Sequence, residues 1–355
     1  MKIGTIDLVP AFGLAPMAGM TDTAFRRLVK RRGGCGLVVT EMVSSEGLVR
    51  GIDRTLEYAE YTEEERPVSI QIFGGDPEKM AAAAQIVEGM GADIVDVNMG
   101  CPVAKIAKHN AGCSLMREPE HAQAIVNAMA KAVKIPVTVK MRAGWDANEI
   151  NAPELARRME DAGAAAITVH GRTAAQSYSG SSDWNLIDHV AGTVGIPVFG
   201  SGDCVEPSQL VQKLQESRAS GVLVGRGALR NPWIFEQAAA LARGEDARVI
   251  SLEERGQFLL DYIDLLIHER TGEAAGFRHV APASRPDAPG PTPERSEVAR
   301  GHDRWVINKL RALNSWYTKG LDNGSHLRVS VNAAESIPQL RDIIAEFFSQ
   351  ELAAK

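Results

Sequence analysis

Between residues 12 and 227 the chain repeats one pattern eight times: a short apolar run, a polar or glycine-bearing loop and, in most repeats, an amphipathic stretch. The runs are Phe12 to Ala18, Gly36 to Glu41, Pro67 to Phe73, Asp93 to Asn98, Pro136 to Met141, Ala166 to His170, Pro197 to Gly200 and Gly221 to Gly225. Short continuous apolar runs suit strands buried on both faces, as in a parallel sheet covered by helices. The stretches Pro77 to Met90, Pro119 to Ala132, Pro153 to Ala162 and Pro207 to Gln215 each open on a proline. A first helical turn accepts proline because the N–H it lacks would have no partner there. Eight β/α units of this spacing predict an α/β fold closed as a (β/α)8 TIM barrel, with an open doubly wound sheet as the alternative.

After about residue 245 the strands stop and helical patterns follow at Leu252 to His268, Trp305 to Tyr317 and Ile337 to Leu352. The expected organisation is a barrel over residues 1–244 and a small C-terminal helical domain over 245–355. Between the first two helices, at about 274–302, lies a segment with so many prolines and so little apolar content that it reads as a flexible insertion. With 355 residues, 45% hydrophobic and 24% charged, the chain reads as a soluble protein with one large core. No run approaches a membrane span and the first residues lack a signal peptide's apolar stretch, so the expectation is a cytoplasmic protein with no membrane partner. Cys35, Cys101, Cys113 and Cys204 are widely spaced without a Cys-x-x-Cys pair, which points to reduced thiols rather than a metal site or disulfide framework. The net charge of −6 excludes a globally basic nucleic-acid binder and leaves room for a local basic face. No obligate protein partner is evident.

In a barrel the loops after the strands gather the reactive groups. Asn98 and Cys101 stand where an apolar strand meets the turn Gly100-Cys101-Pro102, so the thiol is positioned for chemistry; the plain alternative is a small buried hydrophobe. Lys140 ends another apolar strand, where an unpaired ammonium is costly and calls for an anionic partner. Gln71 and His170 complete a polar ring suited to a planar hydrogen-bonding cofactor. The loops Ser201-Gly202-Asp203 and Gly225-Arg226-Gly227 follow the seventh and eighth strands, the usual phosphate position, with glycines where the backbone passes close to a ligand.

These residues resemble the flavin-dependent tRNA dihydrouridine synthases, closest to the bacterial B-type branch. The resemblance rests on Ala15-Pro16-Met17-Ala18-Gly19 with Thr21-Asp22, Gln71, Asn98-Met99-Gly100-Cys101-Pro102, Lys140-Met141-Arg142-Ala143-Gly144-Trp145, His170-Gly171-Arg172-Thr173 and Gly225-Arg226-Gly227. It implies bound FMN, NADPH or NADH as electron donor, and reduction of selected uridines in tRNA. Pro16, Met17 and Ala18 would line the flavin ring, Gln71 would bond its pyrimidine edge, and Lys140 would stabilise negative charge on the reduced ring. His170 would complete the ring contacts, and Ser201, Gly202, Asp203, Gly225 and Arg226 would hold the phosphate. Cys101 would be the general acid, Asn98 would hold the uracil edge, and Arg142 and Arg172 would contact the extruded nucleotide. A thiol is mostly protonated at neutral pH and can give carbon 5 of uracil its proton as hydride reaches carbon 6.

The helical tail resembles the family's RNA-binding domain more loosely, through Trp316-Tyr317, Arg328 and Asn332. The chain departs from the family at Ser201, where asparagine is usual, and at Arg311 to Ser315, where a basic cluster is usual. No separate Gly-x-Gly-x-x-Gly βαβ unit is present, so nicotinamide and tRNA would share one face. Three rival readings share these residues, of which a noncatalytic RNA-binding protein on the same fold is set aside by Cys101, Lys140 and His170 standing together. Of the remaining two, one is an FMN barrel acting on a free pyrimidine, against which Lys309, Arg311 and Arg328 in the tail favour RNA; the other is an aldolase-like barrel with a Lys140 Schiff base.

Overall fold

The computed structural model describes residues 1–107, 110–269, 277–278 and 295–353. Eight parallel strands form its centre: β1 Phe12–Leu14, β2 Leu37–Val39, β3 Val68–Phe73, β4 Ile94–Met99, β5 Val137–Arg142, β6 Ala166–His170, β7 Val198–Ser201 and β8 Gly221–Val224. Neighbours in sequence pair all the way round, and β8 pairs with β1, Val222 opposite Phe12, so the sheet closes. The expected TIM barrel is the observed fold.

Side chains alternate along each strand. In β4 Val95 and Val97 belong to the layer between sheet and helices, while Ile94 packs inside the barrel with Leu37, Ala166, Phe199 and Leu223. Ile3 and Leu8, from the turn that precedes the barrel, join this inner apolar cluster. Above it the interior turns polar, with Ser69, Asp96, Thr138 and Thr168 all buried, and above these stand Gln71, Asn98, Lys140, His170 and Ser201. Parallel register fixes that order: Gln71 lies opposite Asp96, and Asn98 opposite Lys140.

The outer helices begin as their sequences dictate. Asp22 caps α1 (Thr23–Arg32) by accepting from the Phe25 amide, and Asp76 caps α2 (Pro77–Gly89) just before its proline. The others are α3 Pro119–Ala132, α4 Ala152–Asp161, α5 Trp184–Ala191, α6 Pro207–Glu216, α7 Arg226–Arg230 and α8 Ile234–Ala242.

Four further helices follow: α9 Leu252–Glu269, α10 Arg295–Tyr317, α11 Gly324–Ala333 and α12 Ile337–Ala353. α10 starts at Arg295, inside the segment expected to be a flexible insertion, and α11 was not anticipated; its sequence is rich in Val, Ser and Asn, poor helix formers. Most of the proline-rich stretch, residues 270–276 and 279–294, lies outside the described residues, while Phe277–Arg278 pairs antiparallel with Tyr61–Thr62. The tail lies against the barrel's first helix. Phe258 and Tyr262 of α9 meet Phe25 of α1 edge-on at 6.1 and 6.4 Å, and Tyr317 of α10 stacks on Phe258 at 5.5 Å. One hydrophobic cluster runs through both parts.

Lys309, Arg311 and Arg328, expected to face RNA, are engaged within the protein. Lys309 lies partly buried on Asp22 (3.0 Å) and Glu41 (3.4 Å), Arg311 donates to the Ala334 carbonyl, and Arg328 donates to Thr318. Among the described residues no helix is long and apolar enough to cross a membrane, and no group of three or more His, Cys, Asp or Glu is placed to hold a metal. All four cysteines are free.

Candidate active site

A cavity of about 620 Å³ opens at the carboxyl ends of the strands. Pro16, Met17, Ala18, Gln71, Asn98, Cys101, Lys140, Arg142, His170, Ser201, Gly202, Asp203, Gly225 and Arg226 all line it. Of the barrel residues expected to act in catalysis or to bind cofactor or substrate, Arg172 alone stands behind the wall instead.

The Cys101 loop is held from three sides. Asn98 Oδ1 accepts from the amides of Gly100 (3.1 Å) and Cys101 (2.9 Å), and the Cys101 carbonyl accepts from the Cys113 amide (3.1 Å). Arg142 Nε donates to the Gly100 carbonyl at 2.8 Å. Gly112 closes the arrangement at φ +63°, where an added Cβ would sit 2.7 Å from the Cys101 carbonyl oxygen, so no side chain fits there. The thiol itself is half-buried at the cavity wall.

Two arginines expected to meet substrate are engaged with the protein. Arg142 Nη1 donates to the carbonyls of Thr173 and Ser177, both at 2.9 Å, which leaves Nη2 without a partner among the described residues. Arg172 is buried and donates to the Ser179 and Gly180 carbonyls and to both oxygens of Asp203. Asp203 also accepts from the Ser182 amide, so both oxygens of its carboxylate are engaged. Gly202, at φ +124°, could carry no Cβ without striking Ser182.

The cavity is cationic. Lys140, two residues before the end of β5, has no hydrogen bond or ion pair among the described residues, and burial lowers its pKa to about 8, Arg142 adding to the effect. Burial together with Lys140, Arg142, Arg172 and Arg226 pushes His170 down to about 2, so the ring is neutral. Arg172 Nη1 lies 3.4 Å from His170 Nε2 and can only donate, which places the imidazole proton on Nδ1. Below Lys140, burial raises the pKa of Asp96, while its bonds to Gln71 and Thr138 and the Lys140 charge oppose that.

Against this geometry, the model of the family described as Dihydrouridine synthase (Dus) matches residues 13–285. The chain belongs to the dihydrouridine synthase family. It is 38% identical to a probable tRNA-dihydrouridine synthase of Rickettsia bellii, over 98% of each chain. It is 36% identical to tRNA-dihydrouridine synthase B of Xanthomonas axonopodis pv. citri, over 99% of this chain and 97% of that one. Among solved structures, histamine dehydrogenase from a Rhizobium species superposes with a TM-score of 0.54 at 12% identity, covering 75% of this chain and 50% of that one. That likeness concerns the fold alone. Membership in the dihydrouridine synthase family makes the chain an oxidoreductase.

Four features of this dihydrouridine synthase site escaped the sequence reading. Met42 and Tyr178 line the cavity from loops that carry no motif. Trp316, noted only as part of the tail, also lines it, with Lys319 Nζ 3.7 Å from its ring centre. Asp96 was visible as a lone acid in an apolar strand, a signal that went unused.

Proposed function

We propose that this chain is a tRNA-dihydrouridine synthase that binds FMN and uses NADPH or NADH to reduce the 5,6 double bond of uridines in tRNA. The observation that carries this reading is Lys140, an ammonium with no hydrogen bond or ion pair among the described residues, in a cavity also lined by Arg142, Arg226 and the glycines of the last two loops. Such a site calls for a planar group with an anionic edge and a phosphate. The residues fit FMN. Pro16, Met17 and Ala18 would face its ring, Gln71 and Lys140 its pyrimidine edge, and neutral His170 would add a donor at Nδ1. The loops of Ser201, Gly202, Asp203, Gly225 and Arg226 would hold the phosphate, Asp203 through its backbone because its carboxylate is engaged. Bound FMN supplies the hydride.

The chain's own residues do the rest. Asn98 would turn to the uracil edge the N–H that lies on the Met42 thioether (3.7 Å) while its oxygen fixes the Cys101 loop, and Cys101 gives carbon 5 its proton from the wall of the cavity. Arg142 holds that loop and offers Nη2 to the nucleotide; Arg172 acts through Asp203 and His170 rather than on substrate. We assign residues 1–244 to catalysis and 245–355 to tRNA binding, with Trp316 reaching the cavity rim and Lys319 over its ring. Because one cavity must serve both substrates, NADPH would leave before tRNA enters, giving parallel double-reciprocal plots.

The test begins with an absorption spectrum, then anaerobic reduction by NADPH and reoxidation by unmodified tRNA. Flavin bands and reoxidation by tRNA but not free uracil are expected. Cys101→Ala should keep flavin and NADPH oxidation and slow uridine reduction by about 100-fold or more, the usual worth of a general acid. A colourless protein in which borohydride traps a carbonyl compound on Lys140 would favour the Schiff-base reading, which the lowered pKa of that lysine also suits.

A further inference from the structure

One line of hydrogen bonds runs through the barrel from β5 to the Cys101 loop. Thr138 Oγ1 donates to Asp96 Oδ1 at 2.6 Å, and Gln71 Nε2 donates to Asp96 Oδ2 at 2.7 Å. Asn98 Nδ2 donates to Gln71 Oε1 at 2.7 Å, and Asn98 Oδ1 accepts from the loop amides. The loop end has no choice of direction, because a backbone amide only donates, and at the other end both Asp96 oxygens accept, Oδ1 from Thr138 and Oδ2 from Gln71. Both primary amides between them are therefore locked. Turning Gln71 over would set Oε1 against the Asp96 carboxylate and Nε2 against Asn98 Nδ2, losing two buried bonds at once. Thr138 cannot supply this direction, since a hydroxyl donates or accepts as required.

We propose that Asp96 is a positioning residue that fixes this chain one way, so that Gln71 turns its remaining N–H, and Asn98 the N–H that otherwise meets only the Met42 thioether (3.7 Å), to the cavity, and the two select ligand edges that accept, such as the carbonyl oxygens of pyrimidine-type rings. Asp96 is buried beneath the cavity lining, and Gln71 and Asn98 are the lining residues through which it acts. This rests on the reading that the cavity holds a flavin and a uracil.

A double-variant cycle on the full chain tests it. Asn98→Asp still accepts from the loop amides but faces Gln71 with an acceptor, so Gln71 has no satisfactory orientation. Asp96→Asn alone is tolerated, because the new amide can keep its oxygen toward Gln71 and its nitrogen toward the Thr138 hydroxyl. With both changes the chain runs in reverse without losing a bond. The expected result is a thermal midpoint lowered by about 5 °C or more in Asn98→Asp, or no folding, little change in Asp96→Asn, and recovery of at least about half the loss in the double variant. A double variant no more stable than Asn98→Asp, or Asn98→Asp unfolding at the wild-type temperature, overturns the one-way chain.

Titration with FMN, read by flavin fluorescence, supplies the second measurement. The recovered double variant should bind FMN about 10-fold or more weakly than the wild type, because its donors and acceptors are inverted. Wild-type affinity in a recovered double variant reduces Asp96 to a purely structural role and overturns the proposal. Failure of the wild type itself to bind FMN sinks the flavin reading instead, and the stability cycle still decides the chain.

Discussion

At the scale of single residues, the cavity is held ready for an anion at a cost in stability that Lys140 makes measurable. Its pKa falls from the ordinary 10.5 to about 8 because burial disfavours the ammonium. Between those two pH values the unfolded chain binds more protons than the folded one, so stability rises with pH across that window; below about pH 8 the full penalty is present. At about 1.4 kcal/mol per pH unit the penalty is about 3 kcal/mol. Lys140→Met in the flavin-free protein should therefore be about 3 kcal/mol more stable than the wild type at pH 7, with the gap narrowing toward pH 10. Urea unfolding at the two pH values checks this, and a gap that does not narrow shows that the ammonium is not the cause. Lys140 was legible in the sequence because a lone cation in an apolar strand is conspicuous. Arg142 and Arg172 were legible as strand-end cations but not as loop anchors. Their partners are carbonyls of Gly100, Thr173, Ser177, Ser179 and Gly180, and a backbone acceptor leaves no trace in residue type.

At the scale of elements, Lys309 ties α10 to the loop between β1 and α1. Its ammonium reaches Asp22, which caps α1, and Glu41, whose Oε2 accepts from the Gly19 amide at 2.5 Å in the loop that also carries Pro16, Met17 and Ala18. Tyr262 of α9 donates to the same Asp22 at 2.7 Å. Removing the cation takes the counter-ion from the buried Glu41 and the partly buried Asp22. Lys309→Met should cost about 3 kcal/mol, and Lys309→Met with Glu41→Gln should regain part of it, since one stranded charge is then gone. Denaturant midpoints of both variants decide; a Lys309→Met protein as stable as the wild type would show that the contact carries little. The eight strands were readable because each is a short apolar run between turn residues, and their order imposes the barrel. Which face of α10 is buried was not readable. Lys309 looks like any surface lysine until the fold brings Asp22 and Glu41, far away in sequence, beneath it.

At the scale of the whole molecule, a chain of net charge −6 gathers Lys140, Arg142, Arg172 and Arg226 around one cavity, so its field favours polyanions at the mouth whatever its overall sign. The same mouth is completed by Trp316 from the C-terminal helices, which makes their docking a condition of the site. That docking is a shared core. Trp233, which immediately precedes α8, is fully buried with Phe258 of α9 5.4 Å away, and Arg32 of α1 lies over the rings of both. Phe25, also fully buried, meets Phe258 and Tyr262. Cutting the chain after residue 244 would bare this aromatic face, and losing the packing of even one such side chain typically costs about 3–5 kcal/mol, a large part of a domain's whole stability. The full chain should therefore melt in one calorimetric transition, with the calorimetric and van't Hoff enthalpies in agreement, and a 1–244 fragment should be insoluble or unfold without cooperativity. Two resolved transitions, or a soluble cooperative fragment, would mean that barrel and tail are joined at their surfaces only. In that case the tail could shift on the barrel without unfolding, and the position of Trp316 at the cavity rim would vary with it.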